Sequence, residues 1–110
     1  MDINFTARRF RAHSEIKEYA IDEVKKLQKL YDGIVRADII LFYERGVNSI
    51  KTAEIGLHVY GTKLLAHHGS NDYIKSIDNA IEKLGRQLSK YKSKLRGKDK
   101  TKVRRIQEKV

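Results

Sequence analysis

Between Ile77 and Leu95 six apolar side chains, Ile77, Ile81, Leu84, Leu88, Tyr91 and Leu95, recur at intervals of four, three, four, three and four. That period belongs to an α-helix with a single apolar stripe. The helix is predicted from about Asp72, a good N-cap, to Arg96, ending before Gly97. A one-striped helix has to lay its stripe on a second layer of structure, and the rest of the chain must supply that layer. Four stretches have the pattern for it. Ile3-Asn4-Phe5-Thr6 alternates apolar and polar, and Ala37 to Tyr43 is dense in Ile, Leu and Phe. From Ile50 to Tyr60, Ala53, Ile55, Leu57 and Val59 alternate with Thr52, Glu54, Gly56 and His58, as in a strand with one buried and one wet face. Lys63 to His68 returns after a short hairpin loop at Gly61-Thr62.

A first helix is predicted from near Glu15, capped by His13 or Ser14. It carries Ile16, Ala20, Val24, Leu27 and Tyr31 within an arc of about 80°. Asp32-Gly33 is expected to end it, with Gly33 in the left-handed conformation of a C-cap. Glu44 to Ser49 reads as a polar connection, and Gly69 to Asp72 as a turn leading into the second helix. The order is therefore β-α-β-β-β-α, an α+β chain. The economical packing is a four-stranded sheet with both helices on one face, and a crossover through the first helix sets strand one parallel to a neighbour. The chain's 110 residues allow one small domain. The expected organisation is a folded domain over 1–96 and a basic tail over 97–110, mobile or weakly helical.

The net charge of +10 is not spread evenly. Residues 1–82 hold 12 Lys+Arg and 12 Asp+Glu, whereas 83–110 hold 12 Lys+Arg against only Asp99 and Glu108. An excess confined to the last quarter points to a polyanionic partner, a nucleic acid or an anionic membrane, over a tail that merely aids solubility. On the second helix Lys83, Arg86, Lys90 and Lys94 fall in an arc of about 80°, roughly 135° from the apolar stripe. They form a ladder of cations about one turn apart, able to track a phosphate backbone. Lys25, Lys26 and Lys29 lie opposite the apolar face of the first helix; with the helices side by side, the two outer faces would make one positive groove. The bland alternative is an ordinary solvated helix face. Arg86 ranks first in this set because its planar fork can bind a phosphate through two hydrogen bonds. Arg8, Arg9 and Arg11 form a second cluster. Tyr43 and Tyr60 are candidates for base stacking, with packing an equal alternative. Gly85, costing about 1 kcal/mol relative to Ala inside a helix, is either a point of close helix approach or simply tolerated.

Catalytic chemistry finds little support. The chain has no cysteine, so no thiolate nucleophile or thiolate metal site. Its four histidines, His13, His58, His67 and His68, lack metal-ligand spacing, and His67 and His68 must point to opposite sheet faces. Neither a Gly-rich phosphate loop nor a nucleophile elbow is present. Asp72 and Asp78 suit a helix N-cap and first turn rather than an acid/base pair. No catalytic residue, metal or cofactor is expected. No stretch has the length of a transmembrane helix and the start lacks a signal-peptide pattern, so the cytoplasm is the expected location and no membrane partner is foreseen.

One stretch carries a more specific signature: Asp72-Tyr73-Ile74-Lys75-Ser76-Ile77-Asp78, then Ile81-Glu82-Lys83-Leu84-Gly85-Arg86-Gln87-Leu88, then Lys90-Tyr91-Lys92-Ser93-Lys94-Leu95. With looser matches at Ile3 to Thr6, Ile16 to Leu30 and Ala37 to Phe42, residues 2–96 resemble the ribosome hibernation promoting factors, also called ribosome-associated inhibitor and sigma modulation proteins. Tyr73 stands one residue earlier than the family's tyrosine. The resemblance implies a β-α-β-β-β-α fold similar to a double-stranded-RNA-binding domain with an extra strand. It implies binding to rRNA at the decoding region of the small ribosomal subunit, in competition with mRNA and tRNA, which blocks translation under stress or in stationary phase. It also implies that the contacts fall on Lys25, Lys26, Lys29, Lys83, Arg86, Lys90 and Lys94. The resemblance fits a short form or the N-terminal half of a long one ending in its linker, and a monomer off the ribosome is expected. The competing readings are a general binder of structured RNA and a protein partner that modulates a sigma factor.

Overall fold

The computed structural model describes residues 1–8, 10–44 and 50–108, with side chains placed up to Leu95 except that of Glu44. Arg9 and, from Arg45 to Ser49, the expected polar connection lie outside the described residues. The elements run β1 (Asp2–Arg8), α1 (Ser14–Leu30), β2 (Arg36–Glu44), β3 (Ile50–Val59), β4 (Thr62–Ser70) and α2 (Tyr73–Glu108). The order and class are those expected. The strands form one sheet in the order β1-β2-β3-β4. β1 runs parallel to β2, as the crossover through α1 requires, and the other two pairings are antiparallel.

Register explains the core. Phe5, Ile39, Ile55 and Ala66 lie abreast across the four strands, flanked by the row Ile3, Ala37, Leu57 and Leu64. The period of two puts all eight on one face, and both helices cover it. Ala20, Val24 and Leu27 of α1 and Tyr73, Ile77, Ala80, Leu84 and Leu88 of α2 are buried there. Each Ile or Leu so enclosed contributes about 1.5–3 kcal/mol of transfer free energy. Ile81, at the edge of the stripe, is only half-buried and faces the gap between the helices.

Several ends differ from expectation. The start of α1 agrees with it: the helix begins at Ser14 after His13, one of the two expected caps, which has extended backbone and no side-chain cap bond. Gly33 does not take the left-handed conformation; α1 closes at Tyr31, whose N–H donates to the Leu27 carbonyl at 3.2 Å. Lys92 of α2 donates to the neighbouring Leu30 carbonyl at 2.6 Å, so a side chain from another helix satisfies an orphan acceptor of the C-terminus. A Cβ on Gly33 would lie 2.5 Å from the outer end of the Tyr31 ring, so the ring would have to shift to admit one. Gly69 and Ser70 continue β4 rather than forming the turn. The hairpin loop is Tyr60-Gly61, enclosed by the Val59–Thr62 pair, and Gly61 takes a φ of +81°, the left-handed region that suits glycine.

The start of α2 is as predicted. Asp72 Oδ1 accepts the N–H of Ile74 at 3.1 Å, a side-chain N-cap. Its end is not: α2 continues through Gly97 to Glu108, 36 residues in all, past the stop expected at Gly97. Residues 98–108 contain no proline and are rich in Lys, Arg, Gln and Glu, which favour helix, so one glycine at about 1 kcal/mol does not break the run. Gly85 is likewise not a point of close helix contact, because a Cβ there would meet nothing within 4 Å.

Candidate nucleic-acid interface

α2 presents its basic side to solvent because its apolar stripe is held on the sheet: Lys83, Arg86, Lys90 and Lys94 are all exposed. The neighbours of α2 divide them between two grooves. On the α1 side, Arg86 shares a shallow groove with Lys26, Leu27, Ile81, Gly85 and Ser89. Both cations there have carboxylate partners on their own helix. Arg86 is ion-paired with Glu82 one turn back, and Lys26 lies 2.8 Å from Glu23, whose hydrogen bond raises the lysine's pKa. Tyr19 donates to Asp78 and ties α1 to α2. That hydrogen bond, then burial, pushes the Tyr19 phenol up to about 12. The inter-helix groove is thus of mixed charge rather than a continuous positive channel.

On the β4 side the arrangement is more basic. Lys83 donates to the His67 carbonyl at 3.0 Å and Gln87 to the Leu65 carbonyl at 2.9 Å. These two side chains engage backbone acceptors of the edge strand, which limits its pairing with another chain. Further along, Lys90 and Lys94 flank a cleft of about 550 Å³ between α2 and the β3–β4 hairpin. Lys25 and Lys29 are elsewhere, beside Met1, Ile3 and Gln28 at the β1 edge. Arg8 is the exposed last residue of β1, paired with Phe42, and Arg11 is exposed in the connection to α1. The nine residues singled out in the sequence therefore do not make one groove: eight are placed on several faces, with Lys83, Lys90 and Lys94 together on the β4 side of α2, and Arg9 is outside the described residues.

The aromatic candidates separate cleanly. Tyr73 is 7% exposed and stacks on Phe10, with ring centroids 4.8 Å apart and planes 9° from parallel, so it packs rather than reaching outward. Tyr43 is half-buried, whereas Tyr60 at the hairpin tip is 84% exposed. Sequence reasoning had no means to separate these two, because both stand at strand positions. It also passed over Gln87 and Lys92, whose roles come from backbone carbonyls brought near by the fold.

The uncovered sheet face carries a polar cluster. Asp38 Oδ1 accepts from Asn4 at 3.1 Å, while Oδ2 accepts from Arg36 at 3.3 Å and lies 2.8 Å from His58 Nε2. Burial pushes the Asp38 carboxyl up, but these hydrogen bonds and the Arg36 charge outweigh it and hold the pKa below the ordinary value. The four histidines stand apart: His13 at the α1 N-cap, His58 with Asp38, and His67 and His68 on opposite sheet faces. Among the described residues no group of three or more His, Asp or Glu side chains could hold a metal ion.

Comparison with known proteins places this architecture. Residues 3–96 match the family model described as sigma 54 modulation protein / S30EA ribosomal protein. The ribosome hibernation promoting factor of Escherichia coli K12 is 30% identical over 96 residues, covering 87% of this chain and 98% of that protein. Its counterpart in Klebsiella oxytoca is 32% identical over the same shares. Among solved structures, a ribosomal subunit interface protein from Coxiella burnetii superposes with a TM-score of 0.76 at 26% identity, covering 84% of this chain and 99% of that one. The N-terminal domain of Thermus thermophilus Protein Y shares the fold, with a TM-score of 0.73 at 22% identity and coverage of 83% and 99%. With a family match over residues 3–96 of 110 and relatives covered almost end to end, this chain belongs to the sigma 54 modulation protein / S30EA ribosomal protein family.

Proposed function

We propose that this protein is a ribosome hibernation factor that binds rRNA in the decoding region of the small ribosomal subunit. It acts by occupation: the folded domain fills the mRNA and tRNA sites and stops translation without altering a covalent bond. The observation that carries this reading is the row of exposed cations along α2, fixed outward by a stripe buried on the opposite side of the same helix. A rigid helix with cations at one-turn intervals can follow a phosphate backbone, Lys90 and Lys94 as they stand and Lys83 and Arg86 by exchanging the His67 carbonyl and Glu82 for phosphate. Kinship with proteins named for ribosome hibernation supports the choice of the ribosome over other polyanions. Lys83, Lys90 and Lys94 supply the main contact face, Arg86 and Lys26 extend it across the inter-helix groove, and Lys25, Lys29, Arg8 and Arg9 serve as outlying contacts. The protein works in the cytoplasm as a monomer that needs no cofactor.

Translation of a reporter mRNA by purified ribosomes tests the reading. Added protein is expected to suppress synthesis, and subunits preloaded with mRNA and initiator tRNA are expected to resist it. The triple variant Lys83→Glu, Arg86→Glu, Lys90→Glu should lose inhibition while keeping native circular dichroism. Inhibition independent of preloading, or undiminished in the folded triple variant, would contradict the proposal. Equal affinity for any RNA duplex would favour a general RNA binder, and RNA-independent capture of a sigma factor would favour the protein-partner reading.

A further inference from the structure

We infer that the cleft between α2 and the β3–β4 hairpin holds one unpaired nucleotide of rRNA, its base stacked on Tyr60 and the phosphates on its two sides held by Lys90 and Lys94, one each. The inference rests on the ribosome-binding reading and deepens it.

Tyr60 is the starting point. At 84% exposure it is the least buried of the exposed large apolar side chains in the described structure, and packing gives no reason for the ring. Its backbone is nonetheless firmly set. Gly61 closes the loop tightly at a φ of +81°, and the Tyr91 hydroxyl donates to the Tyr60 carbonyl at 2.6 Å. Tyr91 is in turn held edge-on by Tyr31, with centroids 5.6 Å apart. A bare aromatic ring is therefore presented on a braced support, with little ordering left to do on binding.

The surroundings select the occupant. The cleft beside Tyr60 has walls from Leu64, Tyr91 and Leu95 and cations from Lys90 and Lys94. Among the described residues no carboxylate lines it. Its volume of about 550 Å³ falls within the range of small-ligand sites, roughly 300–1,000 Å³. An aromatic platform, an apolar floor and two cations without a counter-charge complement a group that is flat and apolar at one end and anionic at the other. A nucleotide has that form. It must be unpaired, because a base inside a helix already has both faces stacked, and proteins read RNA bases where loops and bulges splay them out. The Lys90 and Lys94 Cα atoms are about 6 Å apart along the helix, about one turn, so both ammonium groups serve the same cleft.

Binding to purified small subunits at one fixed salt concentration tests this, comparing wild type with Tyr60→Ala and Tyr60→Phe. Because Tyr60 is outside the core, both variants should keep the wild-type melting temperature. Loss of one base stack should weaken Tyr60→Ala about 5- to 150-fold, with Tyr60→Phe restored to wild type. Ultraviolet crosslinking of the complex should join Tyr60 to rRNA. Wild-type affinity in Tyr60→Ala, equal losses in Ala and Phe, or a Tyr60 crosslink to a ribosomal protein would each overturn the inference. If the Lys83/Arg86/Lys90 triple variant still loses binding in that case, the ribosome-binding reading survives; if wild-type protein is not retained by subunits, both fail together.

Discussion

Replacing Lys90 and Lys94 with Gln tests the interface with little risk to the fold. Both side chains are exposed and neither is hydrogen-bonded or ion-paired among the described residues. If each neutralises one phosphate, removing the two lowers the log–log slope of affinity against salt by about 1.4 for single-stranded RNA or about 1.8 for a duplex. Over a fourfold rise in salt, from about 50 to about 200 mM, that difference narrows the wild-type advantage by about tenfold. Lys92 provides the internal contrast. It carries the same charge on the same helix, but its ammonium is bonded to the Leu30 carbonyl at 2.6 Å. Lys92→Gln should lower the melting temperature while leaving the salt slope unchanged. Affinities for small subunits measured by fluorescence anisotropy across a salt series give both quantities. An unaltered slope in the Lys90/Lys94 variant, or an equal change in Lys92→Gln, would refute the assignment of contacts by geometry.

Other consequences concern stability. Gly85→Ala should raise stability by about 1 kcal/mol, visible as a melting temperature several degrees higher, because a Cβ meets open space there and the helix gains propensity. Leu84→Ala should cost about 2–5 kcal/mol in urea unfolding, since the side chain is fully buried on the core side of α2. Tyr19→Phe removes the hydrogen bond to Asp78 and should cost about 1 kcal/mol at neutral pH. Since folding raises the Tyr19 pKa from 10.0 to about 12, that contribution is complete below pH 10 and lost as pH rises through about 12; the wild-type–variant difference should shrink over that window. The lowered Asp38 pKa works in the opposite sense: its contribution is present above the ordinary carboxyl value and lost as pH falls through the depressed one, so Asp38→Asn should flatten the acid limb of the stability curve.

The architecture was legible because two periodicities are strong in this chain. The alternation from Ala53 to Val59 and the stripe from Ile77 to Leu88 each admit one buried face, and Asp72 marks its helix start by a side-chain bond that any Asp at an N-cap can make. Helix ends were harder to read. Gly33 sits against the Tyr31 ring without the left-handed backbone of a C-cap, and Gly97 interrupts a run whose other residues favour helix. For the interface, spacing fixed the angle of each cation about its helix axis but not what lies at that angle. Lys83 meets the edge of β4, Arg86 meets Glu82, and Lys25 and Lys29 face β1, all set by tertiary packing. Tyr60 was ambiguous for the same reason: a strand-end aromatic is buried or bare according to where the opposing helix passes.

Sedimentation of the protein with purified small ribosomal subunits through a sucrose gradient at near-physiological ionic strength measures the central claim most directly. The account predicts that wild-type protein travels with the subunits and is displaced when mRNA and initiator tRNA are bound beforehand. Protein left at the top of the gradient, or carried down undiminished by subunits whose mRNA and tRNA sites are already filled, would contradict it.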